Sequence, residues 1–340
     1  MKKILITGGA GFIGSHTAVS LIESGYAPVL VDNFSNSDQS VLKGIEKVVG
    51  RKLIFCQGDC NDASFLKNVF KRHAPIAGVI HFAAYKSVNE SIEQPAKYYQ
   101  NNIGSLLTLL DVMSDRGIPH LVFSSSATVY GFPERNPITE DFPLKEVPSV
   151  YGKTKQICEQ VINDVVRAGK PLKAIMLRYF NPIGAHPSGL IGELPIGIPN
   201  NLVPYITQTA AGIREKFTLF GSDYQTPDGS CIRDFIHVLD LADTHVKAFG
   251  YLDTVQDKSC CEVFNVGTGR GHSVKEVVQT FEQANGLKLN YVVGPRRPGD
   301  VEACYANVDR AKRILKWEAK RSLSEALQDA WRWQKNLQKK

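Results

Sequence analysis

The sequence predicts an α/β protein: an open, doubly wound parallel sheet joined to a smaller, mixed α/β C-terminal domain. Three observations carry that prediction. Short apolar runs alternate with helical patterns through the first half of the chain, the rhythm of parallel strands joined by crossover helices. The first run, Lys3–Thr7, leads into a glycine-spaced turn that opens a helix. From Asn181 onward the rhythm gives way to a long stretch dense in Gly and Pro, still interleaved with apolar side chains and so predicted as ordered loops.

Lys3–Thr7 reads as a buried parallel strand. Gly8, Gly11 and Gly14 then stand in a Gly-x-x-Gly-x-x-Gly arrangement before a helix predicted to run to about Ser24. Glycines there let the backbone turn tightly and approach a pyrophosphate, while the helix N-terminus supplies N–H donors and a positive dipole end. The second strand, Pro28–Val31, ends in Asp32, whose carboxylate can accept both ribose hydroxyls of NAD and repels the 2′-phosphate of NADP. Strand, turn, helix and acid together predict a Rossmann-type, NAD-binding domain over residues 1–180.

Leu53–Cys56 reads as the third strand, followed by Gly58-Asp59-Cys60, where Asp59 can reach an adenine, and by a helix over Ser64–His73. Gly78–Ala84 reads as the fourth strand, its small-residue end suited to close approach by a cofactor. A long helix is predicted from Pro95 to about Arg116, carrying Asn101 and Asn102. The fifth strand begins at Leu121, a helix runs from near Tyr151 to about Ala168, and Ala174–Tyr179 is the sixth strand. Ligands of such a sheet bind at the carboxyl ends of its strands, where the glycine turn, Phe82 and Ser126 all fall.

The fifth strand runs into Ser124-Ser125-Ser126-Ala127-Thr128-Val129-Tyr130-Gly131, and after a Pro-rich loop comes Tyr151-Gly152-Lys153-Thr154-Lys155. Spaced four apart on a helix, Tyr151 and Lys155 share one face. A free tyrosine, with a pKa of about 10, is a poor base at neutral pH. An ammonium beside it favours the phenolate, and a hydroxyl such as that of Ser126 can share the proton or hold a substrate oxygen.

A second domain is expected over residues 181–340, with segments at about 235–265 returning to pack on the first. Leu202–Ala211 reads as a helix, Asp234–Val238 as a strand before a helix from Asp240, and Glu262–Val266 as a strand before a helix over Val274–Asn285. Pro295-Arg296-Arg297-Pro298-Gly299-Asp300 is a rigid, doubly basic loop apt for a diphosphate. The remainder is helical through Trp331 and Trp333 and ends in a basic, frayed tail.

Bulk properties exclude other classes. At 340 residues and 43% hydrophobic composition the chain can bury a large core. Its 40 Lys and Arg against 34 Asp and Glu form no basic block suited to nucleic acid. No signal pattern precedes the first strand and no apolar run is long enough to span a bilayer, so no membrane partner is expected. Seven cysteines, an odd number without a Cys-x-x-Cys pair, predict reduced thiols in the cytoplasm, with no metal site and no disulfide framework.

With these motifs in order, the chain resembles the extended short-chain dehydrogenase/reductase family, and within it the UDP-hexose 4-epimerases, over nearly its full length. Thr7–His16, Ser124–Gly131, Tyr151–Lys155 and Arg178-Tyr179-Phe180-Asn181-Pro182 carry the resemblance. The loop from His186-Pro187-Ser188-Gly189 through Gly197–Leu202 is its most epimerase-specific piece. The resemblance implies a tightly held NAD that is reduced and reoxidised in each turnover. It also implies a UDP-sugar substrate, UDP-galactose or UDP-glucose, and a homodimer built from helices of the nucleotide domain.

By the same resemblance, NAD is held by Gly8, Gly11, Phe12, Ile13, Gly14, Asp32, Asn33, Phe34, Ser35, Asn36, Ser37, Asp59, Cys60, Phe82, Ala83, Ala84, Tyr85, Lys86, Asn101 and Phe180, together with Ser126, Tyr151 and Lys155. The UDP-sugar falls to Lys86, Ser126, Tyr151, Asn181, Asn201, Leu202, Thr218, Phe220, Arg233, Arg297, Asp300 and Cys304. Ser126, Tyr151 and Lys155 are the implied catalytic residues. Tyr151 takes the 4-hydroxyl proton as hydride passes to NAD, Lys155 holds the ribose and lowers the Tyr151 pKa, and Ser126 binds the reacting oxygen. Cys304 departs from the family, many of whose members carry a tyrosine there, and implies room for the acetamido group of UDP-GalNAc and UDP-GlcNAc. A nucleotide-sugar 4,6-dehydratase is one alternative, although the acidic pair of the resembling dehydratases is replaced by Ala127 and Thr128. A non-catalytic NAD-binding sensor is another, although such proteins usually lose a catalytic Tyr or Lys.

Overall fold

The structure, a computed structural model, describes residues 1–297 and 299–339. Pro298, part of the expected doubly basic loop, lies outside the described residues.

The first half runs β1 (Lys3–Thr7), α1 (Phe12–Glu23), β2 (Ala27–Asp32), α2 (Ser40–Val49), β3 (Ile54–Gln57), α3 (Ala63–Arg72) and β4 (Ile76–His81). It continues through α4 (Val88–Glu93), α5 (Pro95–Tyr98), α6 (Gly104–Asp115), β5 (His120–Ser126), α7 (Val150–Arg167) and β6 (Lys173–Tyr179). Then come β7 (Asn181–Ile183), α8 (Leu202–Ala210), β8 (Phe217–Phe220), β9 (Ile232–Arg233), β10 (Phe235–His237), α9 (Val238–Leu252) and β11 (Cys260–Val266). The chain ends with β12 (His272–Ser273), α10 (Val274–Asn285), β13 (Tyr291–Gly294), β14 (Ala303–Cys304), α11 (Asp309–Ile314) and α12 (Leu323–Leu337).

Seven parallel strands form the main sheet in the order β11-β6-β5-β4-β1-β2-β3. Because side chains alternate faces along a strand and both faces are covered, each strand is apolar almost throughout. Ile4 and Ile6 join Leu30, Ile80, Val122, Ile175 and Phe264 in one core, while Leu5 joins Val29, Val79, Leu121 and Met176 in the other. Parallel register puts the carboxyl ends on one rim: Thr7 pairs with His81, Asp32 with Gln57, and Ser126 with Tyr179, which pairs in turn with Val266.

The last strand of this sheet, β11, arrives from far along the chain and extends it beyond β6. Helix α9, just before it, packs on α1. A separate core gathers Ile183, Ile206, Leu219, Phe235, Phe281 and Leu327 beneath α8, α10 and α12. Capping boxes set the starts of α10 (Ser273 with Glu276) and α12 (Ser322 with Glu325).

Several local expectations are corrected. The fourth strand ends at His81, so Phe82, Ala83 and Ala84 form a loop over the rim. The helix expected from Pro95 to about Arg116 is interrupted by a π-helical turn over Tyr99–Ile103, which contains Asn101 and Asn102. Helices α2 and α4 and the short pairs β13 with β8 and β14 with β9 were not foreseen.

Phe249 on α9 is fully buried, its ring 5.8 Å from that of Tyr26 and 5.9 Å from that of His120. Phe249→Ala is expected to destabilise the protein by about 3–5 kcal/mol. A thermal-denaturation midpoint indistinguishable from wild type would contradict the placement of α9 in the core.

Candidate active site

The glycine turn is closed by a hydrogen bond from Gly11 N to Gly8 O of 3.1 Å. Gly8 has φ +68°, and a Cβ there would lie 2.9 Å from Ala83 N, so the turn touches the loop after β4. A Cβ on Gly14 would lie 2.2 Å from Gly8 O, and only glycine fits. Helix α1 then starts without a side-chain cap, whereas α3, α7, α10 and α12 are capped by Asp62, Ser149, Ser273 and Ser322. Phe12, Ile13 and Gly14 form the first turn of this uncapped helix end, an electrostatic cradle for an anion.

Asp32, at the tip of β2, accepts from Ala10 N at 3.0 Å through one oxygen and from Phe34 N at 2.9 Å and Ser37 Oγ at 2.8 Å through the other. It thereby ties the glycine turn to the loop carrying Asn33, Phe34, Ser35, Asn36 and Ser37. Phe34 adopts a left-handed conformation, φ 58°, with its ring 5.2 Å from that of Phe55. Asp59 accepts from Asn33 Nδ2 at 3.1 Å and Asn61 N at 2.8 Å. Burial opposes its ionisation, but hydrogen bonds from Asn61 and Asn33 outweigh burial and hold its carboxyl below the usual range. Burial pushes the Cys60 thiol up to about 12, leaving it unreactive at neutral pH.

Tyr85 is held through its backbone. Its N–H donates to Asn102 Oδ1 at 2.8 Å and its carbonyl accepts from Asn102 Nδ2 at 3.0 Å. The same amide donates to Thr154 Oγ1 on α7 at 3.1 Å. Asn101, beside it in the π-helical turn, donates to Asn102 Oδ1 at 3.0 Å. The irregular turn thus joins the loop of Phe82, Ala83, Ala84, Tyr85 and Lys86 to the helix bearing Tyr151 and Lys155.

Ser149 caps α7 by accepting from Gly152 N at 3.1 Å, which fixes where Tyr151 enters the helix. Lys155 is buried; its Nζ donates to the Ser124 carbonyl at 2.6 Å and lies 4.8 Å from the centre of the Phe123 ring. Ser126 Oγ accepts from Thr128 N at 3.2 Å and from Thr128 Oγ1 at 3.0 Å. Burial lowers Lys155 to about 8. Burial also raises the Tyr151 phenol, against a hydrogen bond with Ser126. The Lys155 ammonium is turned to a backbone carbonyl, and burial is the larger influence on the Tyr151 phenol.

Across the rim, Asp300 pairs with Arg297 (2.9 Å from Nε) and with Arg233 (3.4 Å from Nη2). The Arg297 guanidinium stands 5.3 Å from the centre of the Phe220 ring on β8, the strand that also carries Thr218. Lys86 and Asn201 converge on Glu193, donating to its Oε1 at 2.9 and 2.7 Å, and Leu202 follows at the start of α8. Phe180 is buried beside exposed Asn181. Cys304 pairs in register with Arg233, and burial pushes its thiol up to about 11. Among the described residues no cluster of His, Cys, Asp and Glu is arranged to hold a metal ion.

Comparison with known proteins decides the family. The family described as GDP-mannose 4,6 dehydratase matches residues 5–330. UDP-glucose 4-epimerase 2 of Arabidopsis thaliana is 49% identical over 98% of this chain and 95% of its own length. The chain belongs to the UDP-glucose 4-epimerase family. A UDP-glucose 4-epimerase from Stenotrophomonas maltophila, solved with bound NAD and formylated UDP-arabinopyranose, superposes with a TM-score of 0.96 at 43% identity, covering 100% of this chain and 99% of that one. The Bifidobacterium longum UDP-glucose 4-epimerase, in complex with NAD+ and UDP, gives a TM-score of 0.93 at 43% identity, covering 98% of each chain.

Within this UDP-glucose 4-epimerase family member, sequence reasoning passed over Asn102 as a clamp and missed Glu193, the shared acceptor of Lys86 and Asn201. An acid in the epimerase-specific loop was the available signal for Glu193; nothing local marked its partners. Gly14→Ala is expected to weaken dinucleotide retention at least about tenfold, or about 1.4 kcal/mol. Dinucleotide released on denaturing the purified variant measures this, and wild-type content would show that the turn tolerates a Cβ.

Proposed function

We propose that this protein is an NAD-dependent UDP-hexose 4-epimerase that interconverts UDP-galactose and UDP-glucose. The observation that carries the reading is the grouping of Ser126, Tyr151 and Lys155 on the rim that also bears the uncapped glycine turn and Asp32. The residues fit a dinucleotide: glycines that a Cβ would clash with, free helix-end donors, and a carboxylate at the tip of β2. When bound, NAD supplies a hydride acceptor that returns the hydride within the same turnover.

The chain's own residues supply the rest. Tyr151 exchanges the proton of the 4-hydroxyl, Ser126 holds that oxygen, and protonated Lys155 favours the phenolate. Arg233 and Arg297, aligned by Asp300, hold the diphosphate rather than the hexose. That division leaves the hexose free to present either face while its nucleotide stays bound. Ala127 and Thr128 follow Ser126 and offer no acid/base pair for the elimination that a dehydratase performs. A non-catalytic sensor would have no use for a tyrosine and lysine both present and grouped at the rim.

The protein acts as a cytoplasmic homodimer. All seven cysteines are free thiols, and no described helix is long and apolar enough to cross a membrane. Val88, Ile92, Tyr99 and Leu107 expose apolar surface along α4 to α6, the helical face offered to a second copy. The pocket also admits N-acetylated hexoses, because Cys304, beside Arg233, is small and its half-buried thiol, pushed up to about 11, is inert.

Tyr151→Phe is expected to lower turnover by roughly 10²–10⁴-fold while NAD stays bound. Conversion of UDP-galactose to UDP-glucose, followed by NMR, is the assay; near-wild-type turnover would remove Tyr151 from the acid/base role. Cys304→Tyr is expected to suppress the UDP-GalNAc reaction by roughly 5- to 150-fold and spare the plain hexoses. Equal loss on both pairs would deny Cys304 the part of gate.

A further inference from the structure

Helix α7 presents Tyr151, Lys155 and Glu159 at successive four-residue steps along one face. Glu159 is 2% exposed, and its partner Arg178, on β6, is 5% exposed. The pair is bidentate: Arg178 Nε donates to Oε1 at 2.9 Å and Nη2 to Oε2 at 2.6 Å. Ser125 Oγ also donates to Glu159 Oε1. Ser125 and Arg178 are register partners on adjacent strands, so one carboxylate staples the helix to β5 and β6 together.

The staple falls between two catalytic contacts. On one side of Ser125, the Ser124 carbonyl receives Lys155; on the other stands Ser126, whose hydroxyl acts on the Tyr151 phenol. Arg178 reaches further, donating from Nη1 to Tyr130 Oη at 3.0 Å and lying 4.9 Å from the centre of that ring. Tyr130 closes the 3-10 turn that follows Ser126 and donates to Asn265 Oδ1 at 2.6 Å. Both ends of the Ser126 segment are thus tied to the same ion pair. Burying such a pair costs desolvation energy that apolar residues would avoid, so stability alone is a weak reason for it.

We propose that Glu159 and Arg178 are positioning residues for the epimerase reaction, holding the Ser124–Ser126 strand end and the Tyr151–Lys155 face in one geometry, with a carboxylate one helical turn beyond Lys155. This rests on the acid/base roles proposed above for Ser126, Tyr151 and Lys155. The electrostatic surroundings of Lys155 support it. On α7 it faces Tyr151, the Cys158 thiol, pushed by burial up to about 11, and Glu159. From β4 it faces His81, kept neutral by burial at about 3; from β5 the Phe123 ring and Ser124 carbonyl; and Tyr179 lies on β6, its phenol raised by burial. Burial is the largest influence and disfavours the ammonium; Cys158 and then Glu159, the one carboxylate among these groups, favour it.

The sign of the test follows. Replacing Glu159 by a neutral isostere withdraws a negative charge from Lys155 and leaves the Arg178 cation uncompensated, so Lys155 loses its proton at lower pH. Holoenzyme pH–rate profiles with UDP-galactose, retained NAD, thermal midpoints and an NMR titration of Lys155 are measured for wild type, Glu159→Gln, Glu159→Asp and Arg178→Lys. In Glu159→Gln the basic limb and the Lys155 midpoint are expected to move to lower pH, with kcat down about 10- to 100-fold and KM little changed. Glu159→Asp should restore the limb but not the full kcat. Arg178→Lys, which keeps the cation and loses the fork, should lower kcat and leave the limb near its wild-type place; it also carries the test if Glu159→Gln fails to fold. A lowered thermal midpoint with unmoved profile, Lys155 midpoint and kcat would reduce the pair to a structural role and overturn the proposal. A wild type that converts no UDP-hexose would instead overturn the function itself.

Discussion

The loops around Arg233 depend on one buried carboxylate. Asp234, fully inaccessible, accepts from Thr268 N and Thr268 Oγ1, both at 2.7 Å, and from Gly269 N at 3.1 Å and Ala306 N at 3.2 Å. Its own backbone donates to the Cys304 carbonyl at 3.2 Å and accepts from Asn181 N at 3.0 Å. Burial works to keep its proton on, and the four donors work to take it off. The approach is so close that a Cβ on Gly267 would lie 2.3 Å from Asp234 Oδ2. The end of β11, the strand β14 and the junction of β6 with β7 therefore meet at one residue, and Arg233 is its neighbour in sequence.

Around Tyr151 and Lys155, burial is the largest electrostatic influence. Burial presses Lys155 down and Tyr151 up, so each is biased toward its uncharged form. The cluster of Arg233, Arg297 and Asp300 is arranged oppositely, with Arg297 half exposed and Asp300 shared between two guanidinium groups. The two clusters thus occupy environments of different polarity.

Much of this was legible in the residues. Apolar runs such as Ile4–Ile6 and Ile175–Leu177 marked strands because a parallel sheet buries both faces. The glycine turn and Tyr151 with Lys155 were legible because their chemistry is local. Helix α2 also left a signal, in Val41, Ile45 and Val48, that was passed over. Other features were beyond local reading. The π-helical turn at Tyr99–Ile103 follows from a clamp by Asn102 on Tyr85 and Thr154, residues remote in sequence. Asp234 and the pair of Glu159 with Arg178 look like ordinary charges until the strands beside them are known. Phe82 to Ala84 continued an apolar pattern, yet the chain leaves the sheet there to reach over Gly8.

The position of β11 has a consequence for how the protein is made. Strand β6 has its outer neighbour only when residues 260–266 have been synthesised, and α1 receives α9 from residues 238–252. Until then the nascent chain carries an unpaired strand edge and an uncovered apolar helix face, the features that invite wrong association. Completion of the sheet is a late event, set by contacts of long sequence separation, which form slowly. The nucleotide half is therefore no free-standing module that precedes its partner on the ribosome. It closes only after most of the chain has emerged.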